Sequence, residues 1–145
     1  CWAVMLGFAT PLAVEFDGAF VNSGPLSWVA RNSSKPGRTG GEAWVLHAAP
    51  VWSQAHLERE AGAVCELLKA EFAQRCVGGA LPEIVRADAH RWRFAQPQPA
   101  LAAPCLFDES LGIGVAGDWC GGPRVEGAFV SGLALARRIL GGATP

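Results

Sequence analysis

Trp2-Ala3-Val4-Met5-Leu6-Gly7-Phe8, then Leu26-Ser27-Trp28-Val29-Ala30-Arg31, then Glu42-Ala43-Trp44-Val45-Leu46-His47-Ala48: these three runs decide the fold. The first is continuously apolar, like a strand covered on both faces. The second alternates apolar and polar, as a half-buried strand does, and the third reads as a further strand. Between the first two lies Phe16-Asp17-Gly18-Ala19-Phe20-Val21. Its Asp17-Gly18 pair is a turn signal, so the spacing predicts strand–turn–strand there. Asn22-Ser23-Gly24-Pro25 and the polar, Gly- and Pro-containing residues 32–41 break the chain. Strands so closely spaced predict an antiparallel-rich sheet.

Working outward, Ser53 is a good N-cap, and a long helix is expected from it to about Arg75. Leu57, Ala61, Val64, Leu68 and Phe72 recur at helical spacing and form the side expected to cover the sheet. Glu58, Arg59, Glu66, Lys69 and Glu71 are expected on a solvated face, and Gly78-Gly79 stops the helix. Residues 83–94 alternate again, and the Pro- and Ala-rich stretch 96–104 marks a boundary. Cys105-Leu106-Phe107 and residues 111–116 are strand-like. A second amphipathic helix is expected over Val125–Leu140, with Val125, Phe129, Leu133, Ala136 and Leu140 as its apolar side. Arg137 and Arg138 suit the negative end of its dipole.

The predicted fold is α+β: an antiparallel-rich sheet of about five or six strands, one long covering helix, and a C-terminal strand–helix. Residues 1–100 form the sheet and helix; residues 101–145 form the strand–turn–helix.

Composition narrows the function classes. Half of the 145 residues are hydrophobic and 17% are charged, as in ordinary globular domains. A net charge of -1 supplies no field for nucleic acid or an anionic membrane. The apolar run Cys1–Val14 is broken by Pro11 and is too short to span a bilayer. The five cysteines are odd in number and have no CxxC spacing, so neither a disulfide framework nor a zinc site is indicated. A reducing cytoplasm is the expected compartment. His47, His56 and His90 lack metal-ligand spacing, and Ser53, Ser110 and Ser131 lack a GxSxG setting. No residue is therefore assigned as catalytic, and no metal is expected.

Gly112-Ile113-Gly114-Val115-Ala116-Gly117 matches GxGxxG by letter. A phosphate loop of that kind follows a strand, opens a helix directly and has an acid about 20 residues on. Here the glycines lie within the strand-like run, and Arg137 and Arg138 stand where the acid belongs. Glycines at a close packing approach are the preferred reading.

The chemistry is expected in Gly117-Asp118-Trp119-Cys120-Gly121-Gly122-Pro123-Arg124-Val125-Glu126-Gly127-Ala128. Asp118 would end a strand, where ligands of α/β sheets collect, and its carboxylate can accept from sugar-like hydroxyls. Gly121 and Gly122 let the backbone approach a flat ligand. The N–H groups of Val125, Glu126 and Gly127 at a helix start can stabilise an electron-rich atom. A plain corner with Asp118 as the helix cap explains the same residues equally well.

This segment, continued through Phe129-Val130-Ser131-Gly132-Leu133-Ala134-Leu135-Ala136, resembles the C-terminal FAD-binding signature of bacterial renalase-like proteins within the flavin-containing amine oxidase superfamily. Residues 25–38, Trp44–Ala48 and His90–Ala95 resemble the same family's substrate domain. The resemblance implies FAD as cofactor, with Asp118 near its ribityl or phosphate region. Gly117 and Arg124-Val125-Glu126-Gly127 would lie by the flavin, the latter near its pyrimidine end. It implies Trp92 and Arg93 as substrate-side residues; a packed core tryptophan is an equally good reading of Trp92. It also implies a hydride-donating small molecule of the dihydronicotinamide type, with oxygen as acceptor; the wider superfamily implies amines. The family's N-terminal dinucleotide-binding unit has no counterpart here and would precede Cys1, so the expected partner is that N-terminal half. Apolar area exposed by its absence would favour a homodimer. The rival expectation is a non-enzymatic binding domain.

Overall fold

The computed structural model describes residues 1–97 and 99–141. The fold is α+β, and the chain divides into two compact units, Cys1–Arg93 and Phe94–Pro145.

The first unit holds β1 (Trp2–Phe8), β2 (Gly18–Phe20), β3 (Leu26–Arg31), β4 (Glu42–Ala48), α1 (Pro50–Ala55), α2 (Ala61–Phe72) and β5 (Ile84–Arg91). The strands form one sheet in the order β2-β3-β4-β1-β5, antiparallel throughout. The apolar β1 is flanked on both sides, with Val4 opposite Leu46 of β4 and Ala89 of β5. Its even residues Trp2, Val4, Leu6 and Phe8 join Trp44, Leu46 and Val29 in a core closed by Val64, Leu68 and Phe72 of α2. Each large side chain so buried contributes about 1.5–3 kcal/mol.

Two expectations fail here. Asp17-Gly18 does not join two strands: only Gly18–Phe20 is extended, and the chain turns after Val21. Asp17 is drawn onto β3 instead. Its carbonyl accepts from the Arg31 N–H at 2.7 Å, and its carboxylate lies 3.4 Å from the Arg31 guanidinium.

The single helix from Ser53 is two helices. Pro50 opens α1, where it lacks only an N–H that the first turn does not use. Ser53 is not a cap but is buried within α1, its Oγ accepting the Trp2 N–H at 3.1 Å. The helix breaks over residues 56–60 because strand side chains take its carbonyls. The Trp2 indole donates to the His56 oxygen at 3.0 Å, and Arg91 donates to the Leu57 oxygen. Of the expected covering side, Val64, Leu68 and Phe72 are buried, whereas Leu57 is half-buried and Ala61 exposed. A π-type turn over Ala73–Val77 follows α2. Its Ala73 carbonyl accepts from both Gly78 and Gly79.

The second unit pairs β6 (Leu106–Asp108) with β7 (Ile113–Val115) as an antiparallel ribbon and adds α3 (Val125–Ile139). Asp108 closes the ribbon turn by accepting from the Ser110 and Leu111 N–H groups. The expected apolar side of α3 does not pack on this ribbon. Val125, Phe129 and Leu140 are 91%, 71% and 84% exposed. The covered side is the opposite one: Ser131 is buried, and Gly127, Ala128, Ala134 and Leu135 are half-buried. All but Leu135 are small, and Leu135 itself lies close against the ribbon. A Cβ on Gly114 would stand 2.5 Å from Leu135 Cδ1.

No described helix is long and apolar enough to cross a membrane.

Candidate functional site

The glycine-rich corner of the second unit is fixed by backbone bonds. Leu101 donates to the Trp119 carbonyl at 2.8 Å and accepts from Gly121 at 3.0 Å, making a single parallel bridge between Leu101 and Cys120. Cys120 N–H returns to the Gly117 oxygen at 3.0 Å. Buried Ser131 on α3 ties the start of the corner down: its Oγ accepts the Gly117 N–H at 3.0 Å and donates to the Pro104 carbonyl at 2.6 Å.

Gly117 is therefore a structural anchor whose N–H is already used. Trp119 covers it, the indole Nε1 lying 2.4 Å from where a Gly117 Cβ would stand. Asp118 is exposed, in the turn. It lies three residues beyond β7, not at the strand's end, and β7 belongs to an antiparallel ribbon. The parallel-sheet argument for Asp118 therefore does not hold. Nor is Asp118 the helix cap: Arg124 occupies that position, and α3 has no side-chain cap bond.

That leaves the helix start open. Its first backbone bond runs from Ala128 N–H to the Arg124 carbonyl at 3.0 Å. The N–H groups of Val125, Glu126 and Gly127 stand ahead of it, at the positive end of the dipole. Gly121 and Gly122 have φ of +87° and +136°, and no atom lies within 4 Å of a Cβ built on either. The Gly127 position is closed on one side, its would-be Cβ lying 2.3 Å from the Gly122 oxygen. Gly122 thus abuts the start of α3, and among the described residues the Cβ positions of Gly121 and Gly122 face open space beside the Val125–Gly127 amides; Asp118 stands exposed earlier in the same turn. Cys120, beside them, is buried.

Trp92 and Arg93 lie in the first unit, just beyond β5. Trp92 is not a core tryptophan: it is 59% exposed. Its backbone N–H donates to the Cys1 carbonyl at 2.7 Å, and its ring meets His90 edge-on at 4.5 Å. Arg93 donates to Glu58 at 2.7 Å, and Arg91 donates to the other oxygen of the same carboxylate at 2.9 Å. These two bonds, Arg93 first, hold the Glu58 carboxyl below the usual glutamate range. The cluster borders a cleft of about 420 Å³ lined by Trp2, Glu58, Arg59, Ala89, His90 and Arg91.

Sequence reasoning missed this double-arginine clamp. Its only signal was the Arg-Trp-Arg alternation, which puts Arg91 and Arg93 on one side of an extended chain. It also missed the Glu42 hub. That carboxylate accepts from the Trp44 indole at 2.7 Å and the Leu12 N–H at 3.3 Å, and its Oε1 lies 3.2 Å from Arg31 Nε.

No group of three or more potential metal ligands occurs among the described residues. No known protein-family model matches the chain.

Proposed function

We propose that this chain is part of an FAD-dependent oxidoreductase that takes a hydride from a dihydronicotinamide-type small molecule, with oxygen as the final acceptor. The reading is carried by the open corner: unused helix-start N–H groups beside two glycines that leave room for a flat ring. The corner fits one edge of such a cofactor. Nothing described here cradles an adenosine pyrophosphate, which is why an N-terminal FAD-binding half is the proposed partner.

A bound flavin supplies two-electron acceptance. The N–H groups of Val125, Glu126 and Gly127 stabilise negative charge at the ring edge facing them, and they need no rearrangement to do so. Asp118 accepts from hydroxyls of the chain attached to the ring. Trp92 offers an exposed aromatic face to a planar substrate. Arg93 is held by Glu58. A hydride donor of this kind needs no protein nucleophile, in keeping with the missing triad motif. Five free cysteines suit a reducing cytoplasm.

The test is titration of the ¹⁵N-labelled full chain with FAD, followed by amide chemical shifts. Weak binding is expected, with shifts concentrated at Gly121, Gly122, Val125, Glu126 and Gly127, and weakened severalfold by Asp118→Ala. Shifts absent at millimolar FAD, or unchanged by that substitution, would overturn the reading.

A further inference from the structure

The outward side of α3 fits a second copy of itself. On a helical projection Val125, Phe129, Gly132, Leu133, Ala136 and Leu140 fall within about 100° of one another. This is an uncovered side: Phe129 is 71% exposed, Leu140 84%, and no atom lies within 4 Å of a Cβ built on Gly132. A glycine in an exposed helix interior costs about 1 kcal/mol against alanine. No neighbour among the described residues of this unit explains that cost.

We propose that two copies of the chain associate through α3, antiparallel, about a twofold axis between Gly132 and Leu133. Residues equidistant from that point then oppose one another. Phe129 meets the second copy's Ala136, Leu133 meets its Gly132, and Val125 meets its Leu140. Each large side chain has a small one opposite at the two central pairs, which is what interdigitation needs. The charges agree. Glu126 and Arg137 are about three helical turns apart and so border the same edge of the face. The twofold brings Glu126 of each copy beside Arg137 of the other. Antiparallel helices also place opposite dipole ends together.

This inference does not rest on the flavin reading, although Val125 and Glu126 belong to both. Its test is sedimentation velocity of the full chain over a range of concentrations. A concentration-dependent dimer is expected, and Phe129→Glu should raise its dissociation constant more than about tenfold. Far-ultraviolet circular dichroism checks that each variant keeps its fold. The decisive arm uses charge. Glu126→Arg and Arg137→Glu should each weaken the dimer, and the double swap should restore it, because both cross-pairs are re-formed. A chain that stays monomeric at all concentrations would overturn the proposal. Single swaps without effect, or a double swap that does not recover, would overturn it too.

Discussion

The indole Nε1 of Trp2 donates to the carbonyl oxygen of His56 at 3.0 Å, joining β1 to the gap between two helices. The same residue's backbone N–H is taken by Ser53 Oγ at 3.1 Å. One residue thus fixes both α1 and the break that follows it. Trp2→Phe keeps an aromatic ring in a position only 3% exposed but removes the donor. The expected loss is about 1–2 kcal/mol, the cost of a part-buried carbonyl left unpaired. Urea unfolding measures it. A variant as stable as the parent would show that water replaces the indole without cost.

Glu58 sits in that gap, clamped by Arg93 and Arg91. Its carboxyl titrates below the ordinary glutamate range in the folded chain, first through the Arg93 hydrogen bond and then through that of Arg91. The folded state therefore binds this proton less readily than the unfolded state does. The clamp's contribution is present above the ordinary glutamate range and is lost as pH falls through the depressed value. Glu58→Gln should lower stability slightly at neutral pH and converge with the parent in acid, so that its acid limb is flatter. The group is exposed, so the effect is small and weakens in high salt. Parent and variant curves that stay parallel through the acid limb would contradict this.

How far the sequence could be read depended on whether the signal was local. Leu26–Arg31 and Glu42–Ala48 carry their strand pattern in their own residues, and the observed strands have those bounds. The division of the first helix depends on Trp2 and Arg91, which lie far away in sequence and cap carbonyls that periodicity treats as internal. The face of α3 failed for a related reason. Periodicity located the apolar stripe, but the covered side is held by Gly127 against the Gly122 carbonyl, Ser131 bonded to Gly117 and Pro104, and Leu135 against Gly114, not by a stripe of apolar bulk. At the site, the segment's glycines and helix start were legible. The anchoring of Gly117 was not, since it runs through Ser131 fourteen residues on.

Ser131 is the one buried polar side chain of the second unit among the described residues, and it both accepts and donates. Ser131→Ala strands the Gly117 N–H and the Pro104 carbonyl together. A loss of about 1–3 kcal/mol is expected for leaving such groups unsatisfied. The loss should be local. Amide exchange at Gly117 and Cys120 should quicken, while β1 and β4 keep their protection. Uniform acceleration across both units would show that Ser131 does not act through this corner.

Gly127 gives the sharpest test of the corner's geometry. A Cβ there would stand 2.3 Å from the Gly122 carbonyl oxygen and 3.3 Å from its carbon. Both are backbone atoms, so no side-chain rotation relieves the clash. The turn must move, or α3 must start later. Elsewhere in a helix, glycine to alanine is stabilising; at Gly132, with open space at its Cβ position within the chain, that gain is expected for the dissociated chain. At Gly127 the sign reverses, with about 1–3 kcal/mol lost to overpacking. Because the displaced turn carries Gly121 and Gly122, Gly127→Ala should also remove the FAD-dependent amide shifts, whereas Gly132→Ala should leave them intact. The two substitutions are chemically identical and five residues apart on one helix, so helix propensity cannot account for a difference between them. If both stabilise the chain and both retain the shifts, the corner yields freely, and its contact with the Gly122 carbonyl does not hold the helix start in place.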